Sequence, residues 1–423
     1  MSPDTAVSIR DLLRIRDFRW LWLGQIVSNF GDALTHLTLV LYINRVTDGS
    51  TTAIATLLIA LALPQATLGL VAGVFVDRWD RKRTMIISDL VRGVLVLAFI
   101  YSSTHAADQL WLLYLVAFAH ACAGAFFLPA RSALVPNVVP AAGLLAANSL
   151  GQMSVVFFRV LGTAAAGLLV GLLDVFWPAF VVDAATFFLS ALFIARVALA
   201  TPARARVKTA VSTTARALFA ELQNGLGILL RSRVLVGTLV AIGVTMFGLG
   251  AVNVLLAPLL VNDMQVPETW FGVLEFVQSG AMILGSTFVA VLAARFRPTS
   301  LISGSLLILG IDVALFALVG NVWHFFPILF VAGLVSAPLN AAVATIVQTA
   351  VADEVRGRIS SALGATIQTT SLLSMFLTGA VAAAVGVRSV FIISGAVILL
   401  ASVAAAWIFR GYAAPRPALQ PAE

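Results

Sequence analysis

Long apolar runs, each closed by a charge or a turn residue, recur along the whole chain. They fall near residues 18–43, 52–76, 84–103, 110–131, 148–172, 176–198, 234–261, 268–293, 299–320, 323–350, 359–383 and 388–409. A helix needs about 18 or more apolar residues to cross a bilayer, so the pattern predicts twelve membrane-spanning helices. The runs are continuous and not alternating, which excludes a β-barrel, and an open sheet could not satisfy its backbone in lipid. The expected fold is all-α and integral to a membrane.

The polar connections are short except for one. Residues 199–233 follow the sixth run and carry Arg204, Arg206, Lys208, Arg216, Arg231 and Arg233. This divides the chain into an N-terminal segment 1–17, a six-helix half 18–198, a linker 199–233, a second six-helix half 234–409 and a tail 410–423. Inside the linker Leu218, Phe219, Leu222, Leu226, Leu229 and Leu230 recur at helical spacing among polar residues, the pattern of a helix lying on a leaflet. Its plainest role is a tether between the halves. The halves also repeat weakly: Gly73 to Arg78 after the second run matches Ala290 to Arg295 after the eighth, and Pro129 has a counterpart in Pro338. A duplicated transporter with parallel halves around a central cavity is expected.

Composition narrows the function. The chain has 423 residues, 61% hydrophobic and only 11% charged, with a mean hydropathy of +1.03, whereas soluble domains carry about 25% charged residues. Soluble enzymes and nucleic-acid binders are excluded, although the net charge is +7. Most basic residues, Arg78, Arg81, Lys82 and Arg83 among them, fall in alternate connections, leaving Arg45 and Arg388 in the others. That asymmetry places both termini in the cytoplasm. The residues through Asp17 hold no short apolar core with an Ala-x-Ala site, so no cleavable signal peptide is expected. One cysteine, Cys122, allows neither an internal disulfide nor a thiolate cluster. No Walker loop is present for ATP hydrolysis, no metal-ligand spacing occurs, and the loops are too short to hold an enzyme site.

The connection after the second run reads Gly73-Val-Phe-Val-Asp77-Arg78-Trp79-Asp80-Arg81-Lys82-Arg83. It resembles the cytoplasmic loop motif of the major facilitator superfamily, departing at Asp80, where the general pattern has Gly. The variant looks like that of the macrolide-efflux branch of drug:proton antiporters. Asn29-Phe30-Gly31-Asp32, Phe127-Leu128-Pro129-Ala130-Arg131 and Val351 through Arg358 agree with that branch, and the resemblance covers about residues 15–410. It implies the major facilitator fold, a bacterial cytoplasmic membrane, a monomer, and a proton gradient as energy source with no cofactor. Physically, Gly73 would permit close helix approach, and Asp77 could accept hydrogen bonds from free N–H groups at a helix N-terminus. By resemblance that terminus is the start of span eleven, near Ile359. The gating set is then Gly73, Asp77, Arg78 and Arg81, with Asp89, Arg92 and Arg131 beside it. Against the resemblance, the run Gly162-Thr163-Ala164-Ala165-Ala166-Gly167 in span five lacks the proline that exporters of this superfamily often show.

Away from the span ends, the charged residues within the spans are Asp32, Asp89, Arg92, Arg159, Asp183, Glu275 and Asp312. Each costs about 2.5–3.5 kcal/mol at mid-bilayer, so each should face protein or a watery cavity. Asp89 and Arg92, three apart, can pair with each other or with the gating loop. Asp183 and Asp312 are expected to make interhelical hydrogen bonds, and His120 to pack. In span one Gln25, Asn29, Asp32 and His36 share one helical face. Span five offers Asn148, Gln152, Arg159 and Thr163 in the same way, span eight Glu275, Gln278 and Met282, and span ten Asn340 and Gln348. A proton-coupled exporter needs a carboxylate whose proton affinity changes with its surroundings. Asp32 and Glu275 are the candidates, with His36 as a relay and Arg159 as counter-ion to Asp32. The leading expectation is proton-coupled export of a lipophilic or cationic small molecule. Export of one metabolite, such as a siderophore or a lysolipid, and a non-transporting receptor or scaffold are the alternatives.

Overall fold

The computed structural model describes residues 8–76, 78–104, 109–198, 223, 226–230, 232–351 and 353–410, and among them there is helix but no strand. Span one is Arg16–Val46, span two Thr51–Val76, span three Arg81–Thr104, span four Leu110–Gly124 continued by Phe127–Val138, span five Leu144–Leu173 and span six Trp177–Ala195. Span seven is Arg233–Ala257, which runs into a π-helical turn Pro258–Asp263. Span eight is Trp270–Arg295, span nine Pro298–Leu315, span ten Phe325–Ala350, span eleven Asp353–Val385 and span twelve Val387–Ile408. Twelve stretches of the described residues are long and apolar enough to cross a membrane, one for each expected run. The linker helix expected around 218–230 lies mostly outside the described residues; within them, 226–230 is helical and Leu229 is buried.

Breaks in the spans have local causes. Pro129 has no N–H to give the carbonyl four residues back, and span four is interrupted at residues 125 and 126. The neighbouring carbonyl of Ala123 is not wasted, because the Ser88 hydroxyl of span three donates to it at 2.8 Å. Span one ends in a turn where Asp48 and Gly49 have φ of 49° and 81°. Glycine is needed at 49 twice over: φ is left-handed, and a Cβ would meet the Asn262 amide at 2.9 Å.

By contacts the chain forms two compact units. The first comprises Met1–Ala215 with Leu260–Phe276, and the second Arg216–Leu259 with Val277–Glu423. The stretch Leu260–Phe276 belongs with the first because polar bonds tie it there: Asn44 Nδ2 donates to Asn262 Oδ1 at 2.7 Å, and Arg45 Nη2 reaches Glu268 at 2.7 Å. Gly272 adds a close approach, since a Cβ there would overlap Ala164.

In the first unit, the end carrying the N-terminal segment is sealed by Leu12, Phe18, Leu21, Met85, Leu134 and Ile194, all buried. Lys82 donates to the carbonyls of Ala195 and Val197 at 2.8 and 2.7 Å, a cation on the negative end of span six. The second unit is held mainly by apolar packing. Phe316 stacks on Phe391 at 5.2 Å and meets Phe325 edge-on at 5.5 Å. Arg388 closes the nearby helical turn through the carbonyls of Ala317 and Val319, both at 2.9 Å.

Candidate functional site

Among the described residues a buried polar cluster lies inside the first unit, where spans one, three and six pack together. Its centre is Arg92, 5% exposed. One η-nitrogen pairs with Asp89, three residues back on span three, and the other reaches the Asp32 carboxylate at 3.2 and 3.4 Å. The guanidinium also lies over the rings of Phe187 and Phe127, 4.3 and 4.9 Å from their centroids. Such stacking on aromatic faces suits a planar, weakly hydrated guanidinium in an apolar site. Asp89 is fully buried and takes a second hydrogen bond from the Ser190 hydroxyl at 2.6 Å. Asp32 differs, with a side chain 39% exposed. The cluster thus has a dry side, at Asp89, and an accessible side, at Asp32.

This corrects one expectation. The counter-ion of Asp32 is Arg92, and Arg159 instead pairs with Glu275 at 3.4 Å. Helical spacing can show that Asp32 and Arg159 each face inward on their own spans, but which spans touch at that depth is decided by packing. Span three reaches Asp32 because span one bears on span six through Gly31, where a Cβ would overlap Asp183 and Thr186. Gly162 of span five also fits against the Phe30 carbonyl, yet Arg159 points to span eight.

The stripe on span one is graded. Gln25 is 6% exposed and therefore packed, Asn29 and Asp32 are half-buried, and His36 is exposed. His36 makes no hydrogen bond to Asp32; its charged neighbour is Arg159. Asn148 and Gln152 on span five are exposed, as are Asn340 and Gln348 of the second unit, where Gln278 and Met282 are half-buried. Asn148 and Arg131 together line a cavity of about 300 Å³. Asp312 does not make the expected interhelical hydrogen bond, whereas Asp183 has the Thr35 hydroxyl of span one against its carboxylate. Asp183 takes one from Thr186 on its own helix, and Asp312 is 4% exposed with no hydrogen bond among the described residues. His120 packs between Phe99 and Phe187, its ring 6.4 and 5.6 Å from theirs.

The profile of the transmembrane secretion effector family, a branch of the major facilitator superfamily, matches residues 10–414. The chain belongs to this family. Among its relatives is the uncharacterized MFS-type transporter YfiS of Bacillus subtilis, 26% identical over 393 residues and 89% of each chain. Macrolide efflux protein A of Streptococcus pyogenes is 23% identical over 384 residues, 90% of this chain and 93% of its own. Among solved structures, the nucleoside transporter NupG, crystallised as a point mutant, superposes with a TM-score of 0.74 at 14% identity, covering 94% of this chain and all of the other. The protein is an integral membrane transporter and not an enzyme.

In this transmembrane secretion effector the loop after span two is built unlike the general motif. Asp77 lies outside the described residues. Arg78 is exposed, and among the described residues no atom lies within 4 Å of a Cβ built at Gly73. Arg81 donates to the Ala133 carbonyl at 3.3 Å. Asp80, where the superfamily pattern has Gly, caps span three: its carboxylate accepts from the Arg83 N–H at 2.7 Å. A carboxylate there satisfies an orphan donor and suits the positive helix end. An aspartate directly before a long helical run is a cap signal that the sequence alone carries.

Proposed function

We propose that this transporter exports a lipophilic or cationic small molecule across the bacterial inner membrane in exchange for protons, as a monomer with both termini in the cytoplasm. The observation that carries the reading is the Asp32–Arg92 pair, a half-accessible carboxylate on a buried guanidinium. Removing one partner of such a pair leaves an uncompensated charge, so a proton arriving on Asp32 changes what Arg92 must bind. Substrate binding and release are coupled to that change. The second acid, Glu275, and its partner Arg159 stand by as a further ion pair that can open and close. An efflux direction is supported by the resemblance to macrolide efflux protein A, and a lipophilic cargo by the apolar cavity of about 440 Å³ in the second unit that includes Phe247, Val244 and Leu239. Transmembrane proton gradients drive ion-pair rearrangements of this kind through acids that face water on one side.

Proteoliposomes holding the purified chain test this with ethidium, tetraphenylphosphonium and erythromycin as probes. A pH gradient should drive at least one of them against its own gradient in the wild type, and Asp32→Asn should abolish the drive. Movement of all three that ignores the pH gradient, or full drive in Asp32→Asn, would overturn the reading.

A further inference from the structure

Asp183 is an acid of the first unit that the ion pairs above leave out. It sits mid-way along span six and is fully buried. Thr186 donates to its Oδ1 at 3.1 Å, but its Oδ2 has no hydrogen-bond partner. Thr35, one turn beyond Asp32 on span one, faces the same carboxylate, and its hydroxyl is likewise buried and unpartnered. Gly31 brings these groups together, because a Cβ at that position would overlap Asp183 Oδ1 and the Thr186 hydroxyl. The other titratable or charged groups around Asp183 are Asp32 on span one, Asp89 and Arg92 on span three, and His120 on span four.

Three carboxylates therefore share a single guanidinium. Arg92 gives its η-nitrogens to Asp89 and Asp32, and Asp89 has Ser190 as well. Asp183 has neither a cation of its own nor a donor for its second oxygen. A bare carboxylate there would be costly, whereas a neutral carboxylic acid is tolerated in an apolar interior. The Thr35 hydroxyl against Asp183 has the chemistry to pass a proton, since it can accept on its oxygen and donate its hydrogen at once.

Resting on the proton-coupled reading above, we propose that Asp183 is the proton store of this exporter. A proton taken up by Asp32 on the accessible side passes by way of the Thr35 hydroxyl to Asp183 Oδ2. The O–H bond at Asp32 breaks as one forms at Asp183, and Thr35 gains one proton as it gives up another, so no other reactant is needed. Asp32 returns to Arg92 as a carboxylate, and the stored proton leaves by the reverse path.

Infrared spectroscopy of the full-length protein in lipid vesicles tests the store without any substrate. At neutral pH the wild type should show the carbonyl stretch of a protonated carboxyl, shifted in heavy water. The band should vanish in Asp183→Asn, and Asp183→Asn should also lose the pH-driven movement of every probe that the wild type drives. Should the Asn variant fail to fold, Asp183→Glu must shift the band instead. A band unchanged in position and strength in the Asp183 variants, or pH-driven transport intact in Asp183→Asn, overturns the proposal. If the wild type shows no pH-driven movement of ethidium, tetraphenylphosphonium or erythromycin, the proton-coupled reading fails, and the band still decides whether Asp183 holds a proton.

Discussion

Two arginines in the first unit are built to the same plan and placed in different surroundings. Arg92 grips Asp89 and Asp32 and lies over Phe187 and Phe127; Arg45, near the far end of span one, grips Asp174 and Glu268 at 2.6 and 2.7 Å and lies 4.8 Å over Phe176. Arg92 is 5% exposed and one of its partners is fully buried. The Arg45 side chain is 35% exposed, and Asp174 is 88% exposed. Water screens the second cluster and is kept from most of the first. An ion pair in water is worth little because its solvation is lost and regained at small cost, whereas a buried pair stands against a large desolvation penalty and punishes the loss of either member. The same three side-chain types thus make a fastening in one place and a switch in the other.

The largest effect should come from Arg92→Gln. It strands Asp89 in a dry site with only Ser190 for company, and breaking a buried pair costs about 3–5 kcal/mol. Thermal unfolding in detergent, followed by tryptophan fluorescence, should show a large fall in melting temperature. Arg92→Gln combined with Asp89→Asn should recover much of it, since the stranded charge is then gone. If the double variant is as unstable as the single one, the loss is packing over the Phe127 and Phe187 rings and not charge, and the contrast with Arg45 collapses.

A smaller loss is expected at Arg45. Arg45→Ala should cost about 1 kcal/mol or a little more, within what partly exposed pairs deliver, and added salt should shrink the loss because exposed charges are screened. The two partners should separate in double-mutant cycles. Coupling of Arg45 to Glu268, 17% exposed, should exceed coupling to Asp174. Equal coupling, or a loss that ignores salt, would show that exposure does not set the strength of these pairs.

How far all this could be read in advance depends on whether a feature lives on one helix or between helices. The twelve spans were legible because hydropathy and length decide them locally. So was the Asp89–Arg92 pair, three residues apart on one helix. The partner of Asp32 was not legible, because Arg92 and Arg159 both point inward and only the packing of spans one, three and six chooses between them. The Gly31–Asp183 contact hid for the same reason: a glycine in a span and an acid in another carry no mark of facing each other. Asp80 was legible in principle, since a cap is a local signal, but the basic residues after it drew the eye to charge. The division at Leu260–Phe276 depends on Asn262 and Glu268 finding Asn44 and Arg45, which no local pattern announces.

The smallest effect completes the series at full exposure. Ser8 and Asp11 cap the short helix Ile9–Arg14: the Asp11 N–H donates to Ser8 Oγ at 3.2 Å, and the Ser8 hydroxyl donates back to the Asp11 carboxylate at 2.6 Å. With the Ser8 backbone N–H also turned to the Asp11 carboxylate, the arrangement is a capping box. The Ser8 hydroxyl donating to it, with the Ser8 backbone N–H and Arg14 beside it, holds the Asp11 carboxyl below the usual carboxylate range. A group whose proton affinity falls on folding supports the fold above its unfolded value and stops doing so as the pH drops through its folded value. The carboxylate's share of the cap is therefore present at neutral pH and lost in acid, below the ordinary carboxylate range. Hydrogen exchange of the peptide spanning residues 9–14 should report it through Leu12, whose N–H donates to the Ser8 carbonyl at 3.1 Å. Ser8→Ala should speed that exchange at neutral pH and leave transport untouched. As the pH is lowered, exchange corrected for its intrinsic rate should rise in the wild type and the gap between the two proteins should narrow. A gap of the same size in acid would show that the hydroxyl caps the backbone unaided, and that the exposed carboxylate adds nothing to it.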